Sequence, residues 1–200
     1  MVYRNTATSY GNVSKVLHWS IALLIIAAYV FIYWRHWFLV EQTPLWKLVG
    51  NLHRSCGIAV GLLVVFRIIW RLSNPVPEPP PGTKWEHLGA SLAHFALYFF
   101  MVIMPLTGYL GSHVGTNFMG MNWFSIPDFS ESQLFQWLVI DSLGITWDEW
   151  EVPVDFIHKN SGAFLVWVLI LMHIGAALYH HYHRKDGTLL RMLPKGRNQN

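Results

Sequence analysis

Residues 158–183 read HKNSGAFLVWVLILMHIGAALYHHYH, and this run indicates the architecture of the whole chain. From residue 160 onward it carries no Lys, Arg, Asp or Glu, and a transmembrane helix needs about 20 predominantly apolar residues. The run nevertheless begins with His158 and contains His173. Because an ionisable side chain inside a membrane helix is rare and usually functional, we expect a transmembrane helix over 160–183 that carries functional histidines.

The composition of the 200-residue chain extends this interpretation to its whole length. Hydrophobic residues make up 53% of the chain and charged residues only 12%, whereas about 25% of the residues in a soluble domain are charged. Three further segments, 16–34, 52–72 and 88–111, are long and apolar enough to cross a bilayer. Since lipid offers the backbone no other hydrogen-bond partner, all four segments should be helices. The sequence therefore predicts an all-α integral membrane protein, a four-transmembrane-helix bundle forming a single domain over residues 1–200.

Several classes of protein are excluded by the same numbers. The apolar excess excludes disorder, a coiled coil and a water-soluble enzyme as descriptions of the whole chain. The net charge of +3 comes without a basic stripe interleaved with exposed aromatic residues, so nucleic-acid binding is not expected. The single cysteine, Cys56, permits neither an intrachain disulfide nor a thiolate metal cluster.

Two of the predicted spans have charged residues near an end. Arg67 and Arg71 shorten the uncharged part of segment 52–72, but long side chains near a helix end reach the headgroup region. Lys15 precedes segment 16–34, as a basic residue precedes the apolar part of a signal peptide. The run is long and no small-x-small cleavage site follows it, so we expect it to be retained as a span.

Both termini are predicted to lie in the cytoplasm. Cytoplasmic loops carry an excess of Lys and Arg, and the two sides of this bundle differ by ten against four. The richer side comprises the N-terminus, the connection between the second and third spans and the C-terminus, with Arg4, Lys15, Arg67, Arg71, Lys84, Arg184, Lys185, Arg191, Lys195 and Arg197. The poorer side has Arg35, Lys47, Arg54 and Lys159. The Pro-rich segment 74–82 is then a stiff cytoplasmic linker.

The longest connection, residues 112–157, is expected on the outer side of the membrane. It has no Lys or Arg, and its seven carboxylates are Asp128, Glu131, Asp141, Asp148, Glu149, Glu151 and Asp155. Its tryptophans suit the membrane–water interface and are Trp123, Trp137, Trp147 and Trp150. Residues 134–143 within it are expected to form a short helix.

Depth along the predicted helices matches four histidines in two pairs. His53 and His158 lie near the outer side, and His18 and His173 lie near the inner side. The 15 residues from His158 to His173 correspond to roughly 22 Å of helical rise and roughly 60° of azimuth, so one helix can present both side chains to the bundle interior. Since haem iron takes axial ligands on both faces of the macrocycle, the pattern predicts two bis-histidine haem sites with these four iron ligands.

Small and cationic residues accompany the paired histidines. Gly57 and Gly61 follow His53 on one helix face, where they either clear space for a macrocycle or let helices pack closely. The cations expected to neutralise haem propionates are Arg54 and Lys159 on the outer side and Arg67 and Arg71 on the inner side. Zinc is the weaker alternative, because it needs three or four ligands at one point and these histidines lie at two depths.

Short motifs stand in a distinctive order along the chain. They are HW at 18–19, HRSCG at 53–57, PLTG at 105–108, and AALYHH at 176–181 followed by KDGTLLRM at 185–192. In this combination the chain resembles the bacterial cytochrome b561 family over nearly its whole length. The resemblance implies a multi-pass protein of the bacterial inner membrane with two b-type haems, one ligated by His18 and His173 and the other by His53 and His158.

The resemblance also implies a range of functions. The general one is electron transfer across the membrane between the quinone pool (ubiquinone or another quinone) and a donor or acceptor. One branch of the family is the superoxide oxidase, which passes an electron from periplasmic superoxide to ubiquinone, and related subunits anchor hydrogenases and formate dehydrogenases. A small transporter whose histidines relay protons is the non-redox alternative. No catalytic residue is predicted.

His94 is the remaining histidine inside a predicted span. We expect it to line a quinone pocket with Arg71 or His180, as a hydrogen-bond or proton partner of a quinone oxygen. Two alternatives stay open. His94 hydrogen-bonds a haem edge or a neighbouring helix, or it replaces His18 as an iron ligand.

The sequence departs from the family pattern in two ways. The family spaces the two histidines of the fourth helix 14 residues apart, whereas His158 and His173 are 15 apart. A single-turn π-bulge would absorb the extra residue. In addition, superoxide is an anion and should be steered by positive charge, while segment 112–157 is acidic. The general electron-transfer function is therefore favoured over superoxide oxidation.

Overall fold

A computed structural model describes residues 3–121 and 123–193. Its main elements are four long helices, each long and apolar enough to cross a membrane, and they confirm the predicted all-α, four-helix membrane architecture. The four helices are Asn12–Phe38, Pro44–Ser73, Lys84–Leu110 and Trp147–Arg184. Lys195 and Arg197, which were counted for the orientation, lie outside the described residues.

The first three helices, α1 (Asn12–Phe38), α2 (Pro44–Ser73) and α3 (Lys84–Leu110), begin and end at local signals in the sequence. The Thr43 hydroxyl caps α2 by accepting a hydrogen bond from the Trp46 backbone N–H at 3.3 Å. Thr83 and Glu86 form a reciprocal capping box at the start of α3. α2 ends before the Asn74–Pro75 bond, because a residue that precedes proline disfavours the helical conformation.

The connection after α3 folds into a small structured cap. Two short strands, β1 (Thr116–Asn117) and β2 (Ser125–Ile126), pair in antiparallel fashion around the 3₁₀ turn Phe118–Gly120. A helical segment follows, formed by α4 (Gln133–Phe135) and a π-helical turn at Gln136–Asp141, where the sequence predicted a short helix. The buried side chains that hold this cap together are Phe129, Phe135 and Val139.

The fourth long helix begins at Trp147 rather than at residue 160. Its parts are α5 (Trp147–Asn160), a π-helical turn (Ser161–Leu165), α6 (Val166–Tyr179) and a second π-helical turn (His180–Arg184). Thr146 and Glu149 form a capping box that fixes the start. The first turns of α5 are acidic, so they gave no apolar signal, and the connection predicted as 112–157 is shorter than expected.

The π-helical turn at Ser161–Leu165 lies between His158 and His173. It confirms the predicted bulge, which absorbs one residue and leaves a spacing equivalent to 14 helical residues, or about 21 Å of rise. The Tyr29 hydroxyl donates a hydrogen bond to the Gly162 carbonyl within this turn at 2.8 Å. Helix α1 therefore helps to hold the turn in place.

The N-terminal segment, the 74–83 connection and the C-terminal segment meet at one end of the bundle. Asn5 Nδ2 donates to the Pro75 carbonyl at 3.0 Å, and Trp19 Nε1 on α1 donates to the Met192 carbonyl at 2.9 Å. The segments predicted to share one side of the membrane thus lie together. Following the prediction from charge, we call this the inner end of the bundle and the opposite end the outer end.

Candidate functional site

At the outer end, His53 on α2 faces His158 on α5. Their ring centres are 6.2 Å apart and the ring planes are inclined by 83°. His53 Nδ1 donates to the Ala28 carbonyl at 2.9 Å, and His158 Nδ1 donates to the Met104 carbonyl at 3.1 Å. Because a carbonyl only accepts hydrogen bonds, Nδ1 carries the proton in each ring. The Nε2 lone pair of both rings is therefore available to a metal.

Two glycines shape the space around this outer pair. A Cβ at Gly108 would lie 2.8 Å from His158 Cε1, so α3 approaches the ring closely only because this residue is glycine. Next to His53, a Cβ at Gly57 would meet no atom within 4 Å. Gly57 therefore borders open space on the helix that carries His53, as a flat cofactor requires.

At the inner end, His173 has two histidine neighbours rather than one. The ring centre of His173 on α6 lies 6.1 Å from that of His18 on α1 and 5.7 Å from that of His94 on α3. The structure thus brings together both residues of the predicted inner pair and the candidate quinone residue. It is compatible with His94 as a neighbour of the ligand pair and also with His94 as a ligand.

The separation of the paired rings matches what an iron between them demands. A metal–nitrogen distance of about 2 Å on each side, plus about 1 Å from nitrogen to ring centre, puts two axial imidazoles roughly 6 Å apart. The observed separations are 6.2 Å for His53 and His158 and 6.1 Å for His18 and His173. Within the described residues, no three His, Cys, Asp or Glu side chains converge as a zinc site requires. The four histidines therefore fit haem better than zinc.

Arginine side chains next to the inner histidines point to an anionic group. Arg67 Nε donates to the Tyr98 hydroxyl at 3.0 Å, and the guanidinium carbon of Arg71 lies 5.5 Å from the Tyr98 ring centre. Arg67 Nη1 is buried and has no hydrogen-bond partner in the part of the chain that the structure describes. A buried donor without a partner is costly, and a haem propionate is an acceptor that fits this position.

The outer end holds a second group of cations. Arg54 Nε donates to the Thr116 hydroxyl at 3.0 Å, and Arg54 and Lys47 line an open cavity of about 260 Å³ between α2 and the cap. The guanidinium of Arg35 stacks on Trp46 at 3.5 Å, and its buried Nε lacks a hydrogen-bond partner among residues 3–121 and 123–193. Sequence reasoning missed this cavity, because residues 47–54 and 115–120 meet only in the folded chain.

Lys159 is placed differently from the other predicted propionate partners. Its ammonium group lies 2.6 Å from Asp155 on the same helix, and the side chain is 73% exposed. The Lys159 ammonium group is thus paired with a carboxylate. The outer cations that lie next to His53 in the fold are Arg35 and Arg54.

His180, the second candidate quinone residue, forms a pair with a carboxylate. His180 Nδ1 donates to Asp186 Oδ2 at 2.5 Å, and Asp186 Oδ1 accepts from the Thr188 hydroxyl at 2.6 Å and from the Thr188 backbone N–H at 3.0 Å. Burial alone raises the pKa of Asp186, but the hydrogen bonds from Thr188 and His180 outweigh it and lower the pKa to about 2. Asp186 is therefore ionised at neutral pH. Sequence reasoning selected His180 but not its partner.

Comparison with known proteins gives the same family that the sequence motifs indicate. The family model described as prokaryotic cytochrome b561 matches residues 9–195. Cytochrome b561 homolog 1 of Escherichia coli (strain K12) is 33% identical over 189 residues, which cover 93% of this chain and 97% of that protein. Cytochrome b561 homolog 2 of the same organism is 30% identical over 203 residues, covering 98% and 96%. The probable superoxide oxidase CybB of Yersinia pestis is 30% identical over 192 residues, covering 94% and 97%.

Proposed function

The chain belongs to the prokaryotic cytochrome b561 family and is thus a multi-pass haem protein of the bacterial inner membrane, and we propose that it carries two b-type haems and transfers electrons between the quinone pool and a donor or acceptor across that membrane. Electron transfer and b-type haem follow from the family. The number of haems, their ligands and the quinone are what we add.

The observation that carries the proposal is the spacing of the two histidine pairs. Each pair comes from two different helices, and each has its ring centres about 6 Å apart, as two axial ligands of one iron require. We assign the outer haem to His53 and His158 and the inner haem to His18 and His173. With the π-helical turn counted, the two histidines of the fourth helix differ by roughly 40° in azimuth, so both lie on the same side of that helix.

The protein residues hold and orient the haems, which supply reversible one-electron chemistry when bound. The carbonyls of Ala28 and Met104 fix the outer imidazoles through Nδ1. Arg67 at the inner end and Arg35 at the outer end each keep a buried N–H without a protein partner in the described chain. In the loaded protein these two groups would hold haem propionates by donating hydrogen bonds to them.

The quinone site is proposed at the inner end, between His94, Arg71 and His180. His94 lies beside the inner ligand His173, with ring centres 5.7 Å apart. Arg71 lies beside Arg67 over the Tyr98 ring. A quinone bound here stands next to the inner haem and near the aqueous edge from which protons arrive.

Haem counting tests the ligand assignment. His53→Ala and His158→Ala are each expected to lose the same one of two haems, identified by its midpoint potential in a redox-titrated spectrum. His183→Ala is the matched control, because His183 is an exposed histidine near the end of the same long helix. It should retain both haems.

The inner pair is tested in the same way. His18→Ala and His173→Ala are each expected to lose the other haem. Full haem content in all four ligand variants would refute the pairing. If His94→Ala removed a haem while His18→Ala did not, the inner haem would be assigned to His94 and His173.

Superoxide oxidation is a second candidate function, and the outer cavity favours it. The cavity is lined by Lys47 and Arg54, and the described residues around it include no carboxylate. The acidic composition of the outer connection had weighed against an anionic substrate, but this local surface is positive and could steer an anion toward the outer haem. A relative over nearly the whole chain is named a probable superoxide oxidase.

A rate measurement decides between the two functions. Superoxide generated enzymatically is added to purified protein with a short-chain ubiquinone, and quinol formation is followed. Lys47→Gln should lower the rate and its sensitivity to salt, whereas Lys159→Gln should not, because Lys159 is paired with Asp155. Quinol formation no faster than the spontaneous background would end this candidate and leave the general one.

A further inference from the structure

The pair of His180 and Asp186 at the inner end is arranged as a proton-transfer unit. His180 Nδ1 donates to Asp186 Oδ2 at 2.5 Å. The opposite ring nitrogen, Nε2, has no hydrogen bond to protein among the described residues, so it is open to a ligand. An imidazole held at Nδ1 by a carboxylate, with Nε2 open, is arranged to give and take a proton at Nε2.

The turn that follows the fourth helix fixes the carboxylate. Lys185 and Gly187 on either side of Asp186 both have a left-handed backbone conformation, with φ of 53° and 74°. This turn lets Asp186 Oδ1 accept two hydrogen bonds from Thr188, at 2.6 Å and 3.0 Å. Both carboxylate oxygens thus accept hydrogen bonds, which hold the group in this orientation.

Neighbouring charged side chains have other partners. Arg184 lies 2.5 Å from Glu86 of α3 and also donates to the Pro81 carbonyl. Arg191 donates to the Glu78 carbonyl at 2.7 Å. The ring next to His180 is that of Tyr179, with centres 6.0 Å apart. Asp186 is therefore the carboxylate that contacts His180.

The position of His180 along the helix relates it to the inner haem site. His180 comes seven residues after His173, which corresponds to roughly 20° of azimuth and about 10 Å of rise on the same helix face. The residues between them on that face are the small Ala176 and Ala177. Only small side chains therefore separate the proposed inner haem ligand from His180 along this face.

The side chains of His180 and Asp186 differ in solvent exposure. The His180 side chain is 27% exposed and that of Asp186 is 13% exposed. Water can reach the imidazole, while the carboxylate is shielded. A proton can thus enter from the inner aqueous phase at the ring.

On the basis of the proposed function, we infer that His180 is the general acid that protonates quinone at the inner end, with Asp186 and Thr188 as its positioning residues. Reduction of a quinone to its quinol takes two electrons and two protons. The haems, when bound, would supply the electrons. His180 gives its Nε2 proton to a quinone oxygen, keeps the Nδ1 proton on the side of Asp186, and is reprotonated from water before the second transfer.

Stopped-flow reoxidation of the haems tests this inference. Purified protein with both haems reduced by dithionite, and with the excess dithionite removed under anaerobic conditions, is mixed with a short-chain ubiquinone, and the haem absorbance is followed. His180→Gln is expected to slow reoxidation about 100-fold, a typical contribution of a general acid, with haem content and reduced spectrum unchanged. Added imidazole should restore part of the rate. His183→Gln, at an exposed histidine in the same turn, should behave as wild type.

Asp186→Asn gives a second variant that keeps a hydrogen-bonding side chain at the same position. It should slow reoxidation about tenfold, since a positioning residue contributes less than the acid itself. Rates within twofold of wild type in either variant would overturn the inference, as would a slow His180→Gln that imidazole does not rescue. If the wild-type haems are not reoxidised by quinone at all, the proposed function fails and the inference fails with it.

Discussion

Gly108→Ala should weaken haem binding at the outer site without unfolding the protein. The added Cβ would lie 2.8 Å from Cε1 and 3.2 Å from Nδ1 of His158. Carbon atoms in contact sit about 3.5–4.0 Å apart, so the imidazole must move by at least about 0.7 Å. The contact is with the ring itself, which has no flexible end that can bend away.

This displacement of the His158 ring affects both of its nitrogen atoms, Nδ1 and Nε2. The hydrogen bond from His158 Nδ1 to the Met104 carbonyl is already 3.1 Å long and would stretch beyond the useful range, a loss of about 1 kcal/mol. Nε2 of His158 would shift relative to the His53 ring by a similar distance, and the two imidazoles would then hold an iron between them less well. Since 1.4 kcal/mol corresponds to a tenfold change in affinity, the loss of about 1 kcal/mol lowers haem affinity roughly fivefold. The displacement of Nε2 adds to this loss, so we expect at least about a fivefold loss of haem affinity at the outer site.

The matched control is Gly89→Ala on the same helix. A Cβ at Gly89 would meet nothing within 4 Å, and Ala is favoured over Gly inside a helix by about 1 kcal/mol. Gly89→Ala should therefore keep full haem content and equal or higher thermal stability. The assay counts haem per chain by the pyridine haemochrome method and follows the helical content by circular dichroism.

The outcome that would refute this reasoning is specific. If Gly108→Ala binds haem as wild type does, with the same midpoint potentials, then His158 does not need its observed position and is not an iron ligand. If Gly108→Ala loses haem together with helical content while Gly89→Ala does not, the contact is structural rather than a ligand effect. Loss of one haem with intact helices supports the assignment.

Two further predictions concern charges at the inner end. Arg67→Gln removes a cation beside His18 and His173 and should lower the midpoint potential of the inner haem by tens of millivolts, measured by redox titration; an unchanged potential would place the Arg67 guanidinium away from the haem. The pKa of Asp186 is lowered from its ordinary 3.8 to about 2, so its hydrogen bonds to His180 stabilise the C-terminal turn fully above pH 4 and are lost as the pH falls through 2. Pepsin should therefore cut the tails of wild type and Asp186→Asn at similar rates at pH 2, and cut the wild-type tail more slowly than the variant at pH 4. Equal cleavage of the two proteins at pH 4 would contradict this.

The transmembrane core was predictable because burial in lipid leaves a strong compositional signal. A run without charge, such as 160–183, has few possible structures in a bilayer. The start of the same helix at Trp147 was not predictable from this signal, because its first turns carry Asp148, Glu149 and Glu151 and resemble a solvated loop. The local signal that does mark it is the capping box formed by Thr146 and Glu149.

The histidine pairs were predictable because depth in a membrane is a one-dimensional quantity. Counting residues from the span ends was enough to match His53 with His158 and His18 with His173. The second histidine neighbour of His173 was not predictable, since counting places His94 in depth but gives no azimuth on α3. The partners of the buried arginines depend on side-chain direction, and a sequence does not specify that direction either.

The outer connection shows why the net charge of a segment is a poor guide to the field at a site. Its carboxylates largely serve local structure: Glu149 caps α5 at Thr146, Asp128 accepts from the Ser130 hydroxyl and the Glu131 N–H, and Asp155 pairs with Lys159. Two cations of α2, Lys47 and Arg54, instead line the outer cavity. Because salt screens exposed charges beyond about 8–10 Å, an anion at the cavity responds to these two cations more than to carboxylates elsewhere on the cap. The acidic composition of the connection is therefore no evidence against an anionic substrate. The superoxide assay with Lys47→Gln is the measurement that tests such a substrate.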